Sequence, residues 1–357
     1  MTKLNELDQA GQSIWYDFIR RDMVTGSGLA DLVTEGIRGV TSNPSIFDNA
    51  IGGSDLYDEQ LASLTTTDAQ TAFDALAITD IKDAADILAG VYSDSGGHDG
   101  YVSLEVSPRL AHDTDGTISD AKRLWAAVDR PNLMVKVPAT PAGIPAIEEL
   151  TGDGININAT LMFSLADYEA VATAYVRGTL RATDPTRLAS VASFFVSRVD
   201  AATDAALDAI GTPEALAARG KAAIANAKLA YRRYQEVFEG PQFKEQANKG
   251  VRAQRALWAS TSTKNPTYRD VMYVEDLIGP NTVNTAPPAT IDAFLDHGIV
   301  RTGSLLSDVD EAAALIASLP EIGVDFDAIT AQLQVDGVAS FAAAYDNLLG
   351  TISAKLG

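Results

Sequence analysis

Lys136 lies in the apolar run Leu133-Met134-Val135-Lys136-Val137-Pro138. An ordinary lysine has a pKa of about 10.4, so about one molecule in 2,500 is neutral at pH 7. Burial in such a run disfavours the ammonium, and a neutral amine can attack a carbonyl to form a Schiff base. The bland reading of the same residue is a lysine that snorkels or pairs with a buried carboxylate, for which Glu105 is the candidate. Glu105 shares one face of an alternating run with Tyr101 and Ser103, and Asp17 shares one with Ser13 and Trp15. Asn156, Asn158 and Thr160 occupy one face of the segment 155–161. Two carboxylates in different surroundings can serve different proton transfers. Neutral amides suit a polyol because they offer donors and acceptors without added charge.

These residues sit on short strand-like runs at 13–18, 37–42, 101–106, 133–138, 155–162, 188–196, 256–261 and 282–286. Between them lie helix-like stretches such as 68–90, 119–129, 165–181, 201–238 and 266–279. Eight strands alternating with helices predict parallel pairing, and eight is the number that closes a (β/α)8 TIM barrel. The competing architecture, a doubly wound open sheet, usually shows GxGxxG after its first strand. Here that place holds Arg20-Arg21-Asp22-Met23. Barrel strands should be mostly apolar on both faces. Polar residues near the C-terminal halves of four strands therefore point to the barrel mouth, where such folds carry their sites. The chain reads as one domain, 1–357, with helical insertions at 44–98 and 199–254 and helices of 304–357 packed on the outside. Residues 93–100 read as a surface loop.

Composition narrows the chemistry. The 357 residues contain no cysteine, which excludes disulfides, thiolate metal sites and cysteine nucleophiles. The net charge of −21 repels nucleic acid and anionic membranes, and no basic run offsets it. His98, His112 and His297 are dispersed without ligand spacing, and no GxSxG elbow is present, so no metal site is expected. No apolar stretch approaches the roughly 18 residues of a membrane span, and the start carries no apolar leader. A cytoplasmic protein is expected. Asp80, Asp83 and Asp86 recur at near-helical spacing and read as a solvated face. Trp125 and the set Tyr231, Tyr234 and Phe238 read as packing.

Six motifs together resemble the transaldolase family, in particular its longer bacterial form. They are Gly39-Val40-Thr41-Ser42-Asn43-Pro44-Ser45-Ile46-Phe47, Val102-Ser103-Leu104-Glu105-Val106, Leu133 to Thr140 followed by Gly143-Ile144, Ile157 to Ser164, Ser193 to Asp200, and Leu257-Trp258-Ala259-Ser260-Thr261. Their order and spacing span nearly the whole barrel. The resemblance implies a cofactor-free Schiff-base enzyme of the pentose phosphate pathway. It would move a dihydroxyacetone unit from sedoheptulose 7-phosphate or fructose 6-phosphate to glyceraldehyde 3-phosphate or erythrose 4-phosphate. Its partners would be these sugar phosphates, and it would be a monomer or homodimer.

By that resemblance Lys136 matches the covalent lysine, and Asp17 the carboxylate that handles the proton on the donor's C4 hydroxyl. Glu105 and Thr160 match the pair that positions a catalytic water. Asn43 and Asn158 match amides holding the dihydroxyacetone end, with Ser103 and Ser193 as further hydroxyl contacts. Arg198 matches the arginine that grips phosphate, and Phe195 and Ser260 fall within matching substrate-binding motifs. Two features depart from the pattern. The Ser-Phe-Arg run often seen after the seventh strand is replaced by Ala259-Ser260-Thr261-Ser262-Thr263-Lys264, which makes Lys264 the substitute phosphate base. The flank of Asp17, Trp15-Tyr16-Asp17-Phe18, also differs from the commoner form. The rival readings are a fructose-6-phosphate aldolase-like lyase and a non-catalytic sugar-phosphate-binding barrel. Such lyases are shorter and tend to carry Gln and Tyr where this chain has Glu105 and Phe195.

Overall fold

Eight parallel strands close on themselves in chain order, each hydrogen-bonded to the next and the last to the first. They are β1 (Gln12–Tyr16), β2 (Gly39–Val40), β3 (Tyr101–Glu105), β4 (Leu133–Pro138), β5 (Ile157–Met162), β6 (Ser190–Phe195), β7 (Arg255–Ala259) and β8 (Thr282–Ala286). With helices around it, this is the expected (β/α)8 barrel. The computed structural model describes residues 2–356. Among these, no helix is long and apolar enough to cross a membrane.

The strands are buried on both faces because helices cover the outside and side chains fill the interior. Strand register brings the polar residues together. Glu105 pairs with Lys136 across β3 and β4, and Lys136 pairs with Asn158 across β4 and β5. Side chains in register point to the same side of a sheet, so all three turn inward together. Gly39 is required beside β1, since a Cβ there would come within 2.6 Å of the Trp15 ring.

The inserted segments are helical. Residues 44–98 hold Pro44–Gly52, Asp58–Ser63, Ala69–Ile87 and Ala89–Asp94. The stretch after β6 runs through Ser197–Ile210, Pro213–Ala218, Ala222–Tyr234, a π-helical turn Gln235–Glu239, and Pro241–Asn248. Gly211, Pro213 and Gly220 divide the continuous helix expected over 201–238. The helix expected over 266–279 shrinks to Met272–Glu275. Asn265 Oδ1 accepts from the Thr267 N–H in place of a helical bond, and Pro266 follows it in an Asx turn.

The reading of Asp80, Asp83 and Asp86 as a solvated face fails at Asp80. Its side chain is fully buried, paired with Arg21 and accepting a 2.8 Å bond from the Tyr57 hydroxyl. Charged spacing alone could not reveal the cation and phenol that long-range folding delivers. Tyr231, Tyr234 and Phe238 do pack as expected, with Tyr231 and Tyr234 stacked at 5.3 Å between ring centroids.

The last helix, Phe326–Leu356, packs on the Pro44–Gly52 and Ala69–Ile87 helices and reaches β5. It is more than outer decoration. Gln334 donates to the backbone carbonyls of Ala139 and Leu161, just past β4 and within β5, so the helix crosses the barrel mouth.

Candidate active site

A cavity of about 330 Å³ opens at the C-terminal ends of the strands. Its floor carries Lys136, Thr160 and Ser193, and its sides carry Asp17, Asn43 and Phe195. Arg198, Ser260 and Lys264 stand at one side of it. Nine of the twelve residues read from sequence as site residues thus line one cavity. The other three, Glu105, Ser103 and Asn158, lie in the barrel interior behind its wall.

Lys136 is 5% exposed. Its Nζ donates a 3.0 Å hydrogen bond to the Ser42 carbonyl and stands 3.3 Å from Glu105 Oε2. Burial raises the Glu105 pKa above its ordinary value, the Lys136 charge opposes that rise, and Asp17 adds to it. Glu105 Oε2 and Thr160 Oγ1 are both buried without a hydrogen-bond partner among the described residues. Buried polar atoms are rarely left unpaired, so this pair has capacity to bind a water or a substrate hydroxyl. The bland reading of Lys136 is therefore half right. An ion pair with Glu105 exists, yet it is far from saturated.

Asn158 is held rigidly in the interior. Its Nδ2 donates to Ser103 Oγ at 3.0 Å, and its Oδ1 accepts from Ser193 Oγ at 2.6 Å. Ser193 reaches the cavity, so the three residues form a relay from interior to surface. Asn43 caps the Pro44–Gly52 helix, its Oδ1 accepting from the Ile46 N–H at 3.0 Å. That bond uses one oxygen and aims the rest of the amide from a fixed backbone.

Asp17 has left the β1 ladder, which ends at Tyr16 rather than at 18 as the sequence suggested. Its backbone N–H still bonds to the Ala286 carbonyl at 2.9 Å. Its carboxylate accepts a 2.6 Å bond from the Thr41 hydroxyl, which also contacts Thr285 Oγ1 at 2.6 Å. Thr41 belongs to a motif quoted above, but no sequence signal gave it this task.

Arg198 opens the helix after β6 and lies over the Phe195 ring, its Cζ 5.3 Å from the centroid. It has no ion pair among the described residues. Burial lowers its pKa and Asp17 opposes that shift. Lys264 is lowered as well, by burial first and then by the Arg198 charge. The structure thus brings these bases, distant in sequence, within electrostatic reach of each other. Two cations facing one cavity without a carboxylate clamp suit a dianion. Ser260, in left-handed backbone at φ 55°, contacts Ser197 Oγ through its hydroxyl at 2.9 Å and so ties the β7 loop to the base of the Arg198 helix.

Among the described residues no group of three or more His, Cys, Asp or Glu side chains could hold a metal ion. Residues missed by sequence reasoning also line the cavity, including Phe18, Thr285, Pro287, Pro288 and Phe341. Phe341 comes from the C-terminal helix, where no motif marked it.

The family model described as transaldolase/fructose-6-phosphate aldolase matches residues 14–352. A protein named transaldolase from Frankia alni is 50% identical over 99% of this chain and 97% of its own length. One of the same name from Thiobacillus denitrificans is 50% identical over 99% of this chain and its entire length. A Streptomyces coelicolor protein named transaldolase 1 is 48% identical over 99% of this chain and 94% of its length.

Proposed function

The chain belongs to the transaldolase/fructose-6-phosphate aldolase family, and we propose that, as a transaldolase, it moves dihydroxyacetone units through a Schiff base on Lys136. The donors are ketose phosphates such as sedoheptulose 7-phosphate or fructose 6-phosphate, and the acceptors are glyceraldehyde 3-phosphate or erythrose 4-phosphate. This places the enzyme in the cytoplasmic, non-oxidative pentose phosphate pathway, as a monomer or homodimer. The whole chain acts as one domain, since residues from Asp17 to Phe341 line one cavity.

The carrying observation is a buried lysine 3.3 Å from a carboxylate oxygen that accepts no hydrogen bond, with Arg198 and Lys264 on the same cavity. Lys136 Nζ, having passed its proton to Glu105, attacks the donor's C2 carbonyl. A water between Glu105 and Thr160 relays the proton that lets the carbinolamine lose hydroxide as water, leaving an iminium. Asp17 takes the proton from the C4 hydroxyl. The C3–C4 bond breaks, its electrons flow to the iminium nitrogen, and an aldose phosphate departs. The enamine left on Lys136 then attacks the acceptor's aldehyde carbon, and Asp17 returns its proton to the new alkoxide. Water adds to the restored iminium, releasing the product and the amine. Asn43 and Ser193 hold the hydroxyls of the three-carbon unit, backed by Asn158 and Ser103 through the Ser193–Asn158–Ser103 hydrogen bonds, while Arg198 and Lys264 hold the phosphate.

The test is glyceraldehyde 3-phosphate formation from fructose 6-phosphate, with and without erythrose 4-phosphate. Sustained product only with acceptor, and a borohydride-trapped adduct on Lys136, is the expected result. Turnover without acceptor, with free dihydroxyacetone, would make the chain an aldolase. No product in either case would leave a binding barrel.

A further inference from the structure

We infer that Phe341 determines specificity for transfer over hydrolysis by walling the Lys136 adduct off from bulk water. This rests on the Schiff-base reading above and adds a residue from outside the barrel to it.

Gln334, Gly337 and Phe341 share one face of the C-terminal helix, at spacings of three and four residues. Gln334 Nε2 donates to the Ala139 carbonyl at 3.0 Å and to the Leu161 carbonyl at 3.2 Å. One turn on, Gly337 lets the helix settle on Leu161, for a Cβ there would lie 3.0 Å from Leu161 Cδ2. Leu161 itself holds a left-handed backbone, φ 59°, where the β5–β6 register shifts. One more turn brings Phe341, 4% exposed, with its ring centroid 5.7 Å from Lys136 Nζ. Two polar tethers and a close helix–strand approach thus deliver a hydrocarbon ring to the reacting nitrogen.

The ring's chemistry fits that place. An aromatic face stabilises a nearby cation, as water would, but carries no nucleophilic oxygen. The enamine on Lys136 has two fates. Attack of its carbon on an acceptor aldehyde forms a C–C bond, and the aldehyde oxygen takes a proton. Alternatively the carbon takes a proton, water adds to the resulting iminium, and the C–N bond breaks. Its electrons then return to nitrogen, and free dihydroxyacetone leaves. Only the second route needs water at the moment the acceptor is awaited. A wall that leaves the one water within reach of Glu105 and Thr160 and excludes the rest slows that route selectively.

The experiment uses the full chain with fructose 6-phosphate, and reads free dihydroxyacetone released per transfer to erythrose 4-phosphate. Phe341→Ala should raise that ratio at least about tenfold in the molecules that stay folded, although loss of a buried ring lowers the melting temperature, whereas Phe341→Leu, still apolar and bulky, should stay within about threefold of the wild type. Gln334→Leu, which loosens the helix without touching the wall itself, should raise the ratio by a smaller factor. It decides the matter if Phe341→Ala does not fold. An unchanged ratio in a folded Phe341→Ala, or in Gln334→Leu in its place, overturns the inference. Borohydride trapping of wild type is scored first. No adduct on Lys136 would overturn the Schiff-base reading itself, a failure distinct from an unchanged ratio.

Discussion

At the floor of the barrel Arg255 lies 3.1 Å from Asp99, and at the mouth Lys136 lies 3.3 Å from Glu105. All four side chains are buried. The floor pair is nearly saturated. Asp99 accepts from Ser13 Oγ at 2.6 Å, Trp15 Nε1 at 3.0 Å and Arg255 itself. Arg255 donates further to the His98 and Thr282 carbonyls and to Ser13 Oγ, leaving only its Nε unpartnered. The mouth pair has one backbone acceptor for the ammonium, and the Glu105 oxygen facing Lys136 accepts no well-formed hydrogen bond from any side chain or backbone group among the described residues. A buried ion pair repays its desolvation only when its remaining donors and acceptors are met. The floor pair meets that condition and holds three strands and a loop together. The mouth pair does not, and its unmet capacity is what a substrate or catalytic water can use.

The contrast can be broken at either end. Lys136→Ala should lower transfer activity by at least about 10⁴-fold, since the other amine on the cavity, Lys264, stands with Arg198 and away from Glu105. Its melting temperature should stay close to wild type, because the Glu105 left behind can take a proton. A coupled assay beside a thermal melt checks both, and a large loss of stability would make the mouth pair structural after all. Asp99→Ala is the mirror experiment. It strands Arg255 without its carboxylate and should cost about 3–5 kcal/mol in urea unfolding. Turnover per folded molecule should change little, and a selective loss of turnover would erase the distinction.

Arg198→Ala sharpens the picture at the rim. It should raise KM for phosphorylated donors by about 10- to 100-fold, as expected for lost charge-assisted hydrogen bonds. Unphosphorylated analogues should be unaffected, and equal losses would show that Arg198 serves structure. The smallest effect concerns Glu105. Its folded pKa is raised, so the native state binds more protons than the unfolded chain between the two pKa values. Stability is then lost as pH rises through that window, and the penalty persists at pH 7. Glu105→Gln should therefore raise the urea midpoint at pH 7, with the gain fading as pH falls below the ordinary carboxylate range near 4. A gain that grows on acidification would contradict the assigned direction.

Much of the site was legible along the chain because strand periodicity is a local property. Residues two apart share a face, so Ser103 with Glu105 and Asn158 with Thr160 could be assigned to the interior before any contact was known. Lys136 stood out by the same logic, a charge in a strand whose two faces should be apolar. Lys264 was legible as a base and as a departure from the family pattern. Its approach to Arg198 was not, since it depends on how the loop after β7 folds back toward the helix after β6.

The sequence by itself determined the number of strands, their parallel closure into a barrel and most residues at its mouth. These follow from hydrophobic period and from motif order, which need no long-range partner to be read. Only the tertiary structure decided what those residues touch. Register set Glu105, Lys136 and Asn158 side by side, and packing buried Asp80 on Arg21 and Tyr57. The C-terminal helix carried Phe341 from about two hundred residues away to Lys136. The reason is that such contacts depend on loop closure and on complementary groups far apart in the chain, neither of which leaves a local pattern.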